Sequence, residues 1–121
     1  MATRELEVTT RARDGVAVLA LHGDVNASAE AALQGAYAEA TSGDPRAVVL
    51  DFADVDYINS TGIALIVGLL ARARADGREV SACGLSPHYR EIFEITRLVD
   101  FMTITEDEDG AIGALERTSD A

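Results

Sequence analysis

The N-terminal part of the chain alternates apolar and polar residues, which is the pattern of a β-strand with one buried face. Leu6 and Val8 alternate with charged or hydroxyl side chains, Asp14 and Gly15 supply a tight turn, and an apolar run, 16–21, follows. A turn of this type between two such runs predicts a β-hairpin. We therefore expect the fold to open with two antiparallel strands.

After this hairpin the apolar period changes to that of an α-helix. The apolar residues that recur at helical spacing are Ala29, Ala32, Leu33, Ala36, Tyr37 and Ala40. Asn26 or Ser28 can cap the start of such a helix, and Gly43 followed by Pro45 can end it. This segment predicts a first amphipathic helix.

A nearly continuous apolar run, Ala47–Phe52, stands between turn signals in the middle of the chain. Such a run is typical of a strand that helices cover on both faces, so we place it centrally in the sheet. The next segment, Thr61–Ala75, is apolar nearly all round, gains Arg72 and Arg74 near its end and stops at Gly77, which predicts a largely buried second helix. The residues expected on its most buried face are Ile63, Ile66, Val67 and Leu70.

The last third of the chain repeats the order of strand and helix. Glu79–Gly84 is a short strand candidate, and Ser86 followed by Pro87 begins a third helix with an N-cap and a first-turn proline. A last strand is predicted over Phe101–Thr105. Four acidic residues, 106–109, then lie where the positive end of a closing helix would be.

The predicted order of elements, β-β-α-β-α-β-α-β-α, favours an α/β fold. Right-handed crossovers would build a mixed, mostly parallel β-sheet covered by about four helices. A length of 121 residues suits a single domain, and we expect its ordered core over about residues 4–116. With 48% hydrophobic residues and two prolines, the composition is that of a packed globular protein.

The charge of the chain argues against several classes of partner. Ten basic residues stand against 21 acidic ones, so the formal net charge is −11. Such a surface repels phosphate backbones and anionic lipid headgroups, and we expect neither nucleic acid nor a membrane as partner. No apolar stretch approaches the roughly twenty residues of a membrane span, and the first ten residues lack the pattern of a secretory signal. We expect a cytoplasmic protein.

The residue types that metal, cofactor or hydrolytic sites require are scarce. Cys83 is the only cysteine and fits a reducing compartment, while His22 and His88 lie in separate elements without companion ligands. No glycine-rich phosphate loop is present, and Ser60 does not lie in the G-x-S-x-G turn of a serine hydrolase. We expect no metal, no cofactor and no enzymatic activity, and keep a small phosphotransfer or hydrolytic enzyme as an alternative.

The most informative segment joins the central strand to the second helix and reads Asn59-Ser60-Thr61-Gly62. A purely structural explanation exists, because Asn59 or Ser60 can cap the helix and Gly62 permits close packing. A functional explanation uses the same geometry. A phosphate on a serine at a helix N-terminus meets free backbone N–H groups and a favourable dipole. Its added charge of about −1.5 to −2 would change which protein docks there while the fold stays intact.

Taken together, these segments resemble the STAS family, specifically the free-standing bacterial anti-sigma-factor antagonists. The family pattern is a strand, a loop ending in Asp-Ser-Ser/Thr-Gly, and an apolar helix, and it matches Val48–Phe52 followed by Asn59–Leu65. The run Gly23–Val25 is similar to the family's turn after its second strand. Leu85–Thr96 is similar to its third helix.

The resemblance implies a partner-switching mechanism in the regulation of transcription and stress responses. The unphosphorylated antagonist binds an anti-sigma factor serine kinase and so releases a sigma factor; the kinase phosphorylates Ser60, and a phosphatase acting on phosphoserine restores binding. Thr61 is the second candidate acceptor. The partner-binding residues that the match implies are Asp24, Asn59, Ser60, Thr61 and Gly62. ATP belongs to the kinase in this scheme.

Asn59 departs from the family pattern, which usually has Asp at this position. The change removes a carboxylate beside the acceptor. A second interpretation within the family therefore stays open, namely a scaffold subunit of a stress-signalling assembly that works without a regular phosphorylation cycle. We also expect Asp24 to lie near Ser60 at the partner-facing end of the sheet, where its charge acts on docking and not on the fold.

Overall fold

The computed structural model describes residues 4–119 and, within them, the side chains up to residue 115. Its elements in chain order are β1 (Glu7–Arg13), β2 (Val16–Val25), a 3-10 helix (Ala27–Ala29), α1 (Glu30–Thr41), β3 (Ala47–Ile58), α2 (Ser60–Ala75), β4 (Glu79–Cys83), α3 (Pro87–Ile95), a second 3-10 helix (Leu98–Asp100), β5 (Thr103–Thr105) and α4 (Glu108–Ser119). The predicted α/β class and the predicted order of strands and helices are confirmed.

The five strands form one mixed sheet in the order β1-β2-β3-β4-β5. Strands β1 and β2 are antiparallel, and their turn places Asp14 and Gly15 at φ of 54° and 78°. This left-handed pair is the geometry that tight hairpin turns require. The three remaining pairings are parallel, and β3 lies at the centre of the sheet as its apolar run predicts.

Helices cover both faces of the sheet, so the core has two parts. On one face, α1, α2 and α3 pack on the sheet through Leu33, Ile66 and Phe93. On the other face, Ile112 and Leu115 of α4 pack with buried residues of β2, β3 and β4. Successive residues of β3 alternate between the two clusters, which explains why the whole run 47–50 is apolar and buried.

Strand β3 is longer than its apolar run predicts, because residues 53–58 continue the strand where the sequence indicates a loop. These residues pair with the end of β2, from His22 opposite Asp54 to Val25 opposite Ile58. Strand β4 stops earlier, since its last pair joins Cys83 to Asp51. Backbone pairing with β2, together with the buried side chain of Ile58, therefore carries β3 to the start of α2.

The prediction that α2 is largely buried is wrong for its outer face. Ile66 and Leu70 are buried as expected, and Ile63 is half-buried, but Val67 is 46% exposed. Val67 lies on an exposed side of α2 with Ala64 and Ala71, and it lines an open groove that Val99 and Phe101 also line. The sheet and its neighbouring helices cover one side of α2, and small apolar residues tolerate solvent on the other.

The structure decides between the two cap candidates before α1 and corrects the start of the last strand. Asn26, and not Ser28, provides the cap before α1: its Oδ1 accepts the N–H of Ser28 at 3.0 Å, at the start of the 3-10 helix. The last strand begins at Thr103 and not at Phe101, because the chain makes a turn after the second 3-10 helix and leaves the Phe101 ring 57% exposed.

Candidate functional site

The start of α2 is fixed by its own cap. Asn59 has an extended backbone, its Oδ1 accepts the N–H of Gly62 at 2.8 Å, and its carbonyl oxygen accepts the N–H of Ile63 at 2.9 Å. Of the two cap candidates that the sequence offers, Asn59 is therefore the N-cap. Ser60 becomes the first residue of the helix, and its side chain is free for another role.

Gly62 lets the helix start lie directly against the end of β2. A Cβ atom at this position would overlap the carbonyl oxygen of Val25 and lie 2.7 Å from its carbonyl carbon. The same carbonyl oxygen accepts the N–H of Asn59 at 3.2 Å. The loop between β3 and α2 is thus held against β2 by one hydrogen bond and by a contact that tolerates no side chain.

The Ser60 hydroxyl is exposed at this fixed position. Within the part of the chain that the structure describes, the hydroxyl has no hydrogen-bond partner, and the backbone N–H groups of Ser60 and Thr61 have no acceptor. Thr61 is exposed as well. Two hydroxyl groups and two unused N–H donors therefore lie together at the positive end of a sixteen-residue helix, an arrangement that suits an anionic group.

Asp24 lies at the same end of the sheet, one residue before the carbonyl that contacts Gly62, but it is not a surface charge. Its side chain is 7% exposed, and a carboxylate oxygen accepts the backbone N–H of Arg4 at 3.0 Å. Its own N–H donates to the Arg4 carbonyl at 2.9 Å. This carboxylate joins the N-terminal segment to β2, so the expectation that Asp24 can be replaced without an effect on the fold does not agree with the structure; its effect on docking stays a prediction.

An exposed group of charges lines the strand that leads to the site. The Arg4 guanidinium binds Asp54 at 2.9 Å and Asp56 at 3.0 Å, and His22 Nδ1 lies 2.9 Å from the same Asp54 carboxylate. The hydrogen bond from His22, followed by that from Arg4, lowers the pKa of Asp54 below its usual value. These groups are solvent-exposed and add little stability, and the Arg4 guanidinium partly neutralises the Asp54 and Asp56 carboxylates.

Sequence patterns assign no role to Tyr57 or Tyr89, yet both lie at this end of the sheet. Tyr57 stands opposite Asp24 in the pairing of β2 with β3, and it is 52% exposed. Tyr89, in the first turn of α3, accepts the N–H of Ile58 on its hydroxyl at 3.0 Å. A large ring within a polar strand segment is a weak sequence signal for Tyr57. The contact of Tyr89 joins residues 31 positions apart and leaves no local signal.

Elsewhere in the described chain, neither a metal-binding cluster nor a reactive thiol is present. Among the side chains that the structure describes, residues 4–115, no three His, Cys, Asp or Glu are grouped to hold a metal ion, and no helix of the described chain is long and apolar enough to cross a bilayer. Burial raises the pKa of Cys83 to about 12, so its thiol is protonated at neutral pH and a poor nucleophile. The helix start at Ser60 is therefore the site with the clearest chemical character.

Comparison with known proteins agrees with this fold. BtrV of Bordetella bronchiseptica, provisionally named an anti-sigma factor antagonist, is 29% identical over 111 residues, which cover 92% of this chain and 96% of BtrV. The anti-sigma-F factor antagonist RsfB of Mycobacterium tuberculosis is 28% identical over 101 residues, 74% of this chain and 83% of RsfB. The crystal structure of an anti-sigma factor antagonist from Mycobacterium paratuberculosis superposes with a TM-score of 0.80 at 20% identity, over 93% of this chain and 95% of that one. The sequence model of the family described as "Mlab, STAS domain" matches residues 8–105, and the chain therefore belongs to the STAS domain family.

Proposed function

We propose that this chain is an anti-sigma-factor antagonist that binds an anti-sigma factor serine kinase and is switched off when that kinase phosphorylates Ser60. In the unphosphorylated form, binding of the kinase releases a sigma factor, and a phosphatase acting on phosphoserine restores the binding form. The observation that carries the proposal is the exposed, unpartnered Ser60 hydroxyl at the first position of α2. The names of BtrV and RsfB support the same function, which belongs in the cytoplasm.

The helix start is suited to hold a phosphate without unfolding. The unused N–H groups of Ser60 and Thr61 can donate to phosphate oxygens, and the dipole of α2 favours the negative charge. The N–H of Gly62 stays with the Asn59 side chain, so the cap need not be broken. The modification therefore adds about −1.5 to −2 charges to the surface while the hydrogen bonds that shape the loop remain.

The five residues that the family match implies for partner binding divide into two groups by their environment. Ser60 and Thr61 are exposed, so a partner can touch them directly. Gly62 and Asp24 are buried, and the cap oxygen of Asn59 is occupied, so we assign to these three the shape of the surface. The exposed ring of Tyr57 adds an aromatic anchor of the kind that is enriched in protein interfaces.

The exchange of the usual Asp for Asn59 leaves the cap in place, because the amide oxygen accepts the same hydrogen bond that a carboxylate would. It also removes one negative charge beside the acceptor. We therefore expect phosphoserine to be tolerated at least as well as in relatives with Asp. Any loss would come from a kinase that recognises the missing carboxylate, and an Asn59→Asp variant isolates this effect.

The test combines the purified chain with candidate anti-sigma kinases and ATP, followed by intact-mass and peptide mapping. We expect one phosphate, on Ser60. Ser60→Ala should bind the kinase and stay unmodified, and Ser60→Asp should stay folded and bind more weakly. The mimic should be partial, because a carboxylate carries only about one charge. Thr61→Val is the matched control, since it removes the neighbouring hydroxyl at nearly constant shape.

Three other outcomes would redirect the proposal. Modification that persists in Ser60→Ala and disappears in Thr61→Val would move the acceptor to Thr61. Stable assembly with partners without phosphorylation, or equal kinase affinity of the unmodified and phosphorylated forms, would favour the scaffold. Turnover of a small substrate by the chain alone would favour an enzyme.

A further inference from the structure

Strand β3 runs past its neighbour β4 immediately before the candidate acceptor. The last pair between these strands joins Asp51 to Cys83, so residues 52–58 have no strand partner on that side. The chain leaves β4 at Gly84, whose φ of +76° and close approach to the backbone of Ala53 turn it across the strand. Backbone N–H groups that point to this side need another acceptor or solvent.

Ile58 carries one of these N–H groups. The next residue, Asn59, donates to Val25 of β2, and N–H groups alternate sides along a strand, so Ile58 donates away from β2. Its acceptor is the Tyr89 hydroxyl at 3.0 Å, from α3. The Tyr89 side chain thus takes the place that a further residue of β4 would occupy, two residues before Ser60.

Helix α3 is itself well fixed, so it can act as a support. Ser86 caps it by accepting the N–H of Tyr89, Pro87 occupies its first position, and the Phe93 ring packs edge-to-face on Phe52 of β3 at 5.7 Å. Two contacts therefore join α3 to β3, one in the core and one at the strand end. The core contact anchors the helix, and the hydroxyl contact sets the position of the strand end relative to it.

We propose that Tyr89 is a positioning residue for Ser60: its hydroxyl fixes the end of β3 from the α3 side, as Val25 fixes it from the β2 side. This inference rests on the proposed function, because the position of Ser60 matters only if a kinase phosphorylates it. Loss of the hydroxyl frees the N–H of Ile58 and loosens the residues that lead into the helix start. The hydroxyl is directed into the fold, so its removal leaves the surface that a kinase recognises nearly unchanged.

Tyr89→Phe tests this, with Tyr37→Phe as the matched control. The Tyr37 hydroxyl donates to Asp76 at 2.8 Å, just after the C-terminal end of α2. Both variants remove a tyrosine hydroxyl that contacts the region of α2. The Tyr89 hydroxyl lies near the N-terminal end of α2, and the Tyr37 hydroxyl lies near its C-terminal end. Any effect of a lost hydrogen bond on overall stability should appear in both, whereas an effect on Ser60 should appear in Tyr89→Phe alone.

Two measurements test separately whether Tyr89 holds the end of β3 and whether this contact affects phosphorylation of Ser60. Amide hydrogen exchange at Ile58 should become about tenfold faster in Tyr89→Phe, as expected for the loss of one net hydrogen bond, and should not change in Tyr37→Phe. Phosphorylation of Ser60 by the cognate kinase should show a kcat reduced about three- to tenfold at an unchanged KM, because a small displacement of a reacting group lowers the rate of the chemical step. Tyr37→Phe should keep both constants.

Each other result overturns a defined part of the proposal. Unchanged exchange at Ile58 would show that the hydroxyl does not hold the strand. Faster exchange with an unchanged kcat would show that the contact is structural only, and an effect on KM alone would place Tyr89 in kinase recognition. A parent protein that no kinase modifies would remove the proposed function and the role of Tyr89 in it, while hydrogen exchange would still report on the contact itself.

Discussion

The contact between Gly62 and Val25 predicts opposite effects for the same substitution at two glycines of α2. Gly62→Ala places a methyl group on the Val25 carbonyl, and the obstacle is backbone, which cannot rotate away. Gly68→Ala, in the middle of the same helix, meets nothing within 4 Å and points to solvent. Both variants add one methyl group to the same helix, and they differ only in the space that this methyl group enters.

The magnitudes follow from the local structure. At Gly62, overpacking costs about 1–3 kcal/mol, and displacement of the helix start weakens the Asn59 cap by about 1 kcal/mol more. The higher helix propensity of Ala offsets up to about 1 kcal/mol of this cost, so the free energy of unfolding should fall by roughly 1–3 kcal/mol. At Gly68 only the propensity changes, and the free energy of unfolding should rise by about 0.5–1 kcal/mol.

Urea denaturation followed by circular dichroism measures both changes, provided that the slope of the transition stays constant. A stabilising Gly62→Ala would refute the close approach of α2 to β2, and a destabilising Gly68→Ala would refute the open environment of the middle of the helix. Because Gly62→Ala also moves the helix start, kinase phosphorylation of Ser60 should slow in that variant and stay at the parental rate in Gly68→Ala.

Other predictions concern burial at specific positions. Leu70→Ala should lower the free energy of unfolding by about 2–5 kcal/mol, whereas Val67→Ala, half exposed on the same helix, should cost well under half of that in the same denaturation assay. Asp24→Ala should cost about 1–3 kcal/mol, because it leaves the backbone N–H of Arg4 without its acceptor, and Asp24→Asn should recover part of this loss. Burial raises the pKa of Cys83 to about 12, so this thiol should not change stability below about pH 9 and should lower it between about pH 9 and 12; Cys83→Ala should show a smaller fall, because the raised pKa of Tyr37 also contributes to it.

The parts of the fold that the sequence predicts well are those set by neighbouring residues. The hairpin turn at Asp14 and Gly15 depends on two residues that accept a left-handed backbone, and the apolar run of β3 alternates between two buried clusters. The start of α2 belongs to the same class, because an Asn cap and a glycine three residues later are local signals. Local signals are therefore sufficient to place Ser60 at the start of α2.

The features that the sequence does not predict depend on partners far along the chain. The continuation of β3 to Ile58 depends on pairing with β2 and on the Tyr89 hydroxyl, and both contacts join residues that are more than 30 positions apart. The Asp24 carboxylate can be buried because it accepts the N–H of a residue twenty positions earlier, and the local sequence does not indicate this partner. The exposure of Val67 depends on how far the neighbouring elements reach around α2, which periodicity within the helix cannot report.

The division of labour within Asn59-Ser60-Thr61-Gly62 separates a structural motif from a functional one. Asn59 and Gly62 make the contacts that shape the loop, so their replacement should cost stability whether or not the protein is phosphorylated. The side chains of Ser60 and Thr61 contribute hydroxyl groups that the fold does not use, so Ser60→Ala should leave the free energy of unfolding nearly unchanged. A Ser60→Ala variant that is defective in partner switching but not in stability would therefore identify Ser60 as a functional residue. If substitutions at all four positions lowered the free energy of unfolding equally, the motif would have only a structural role as a helix cap.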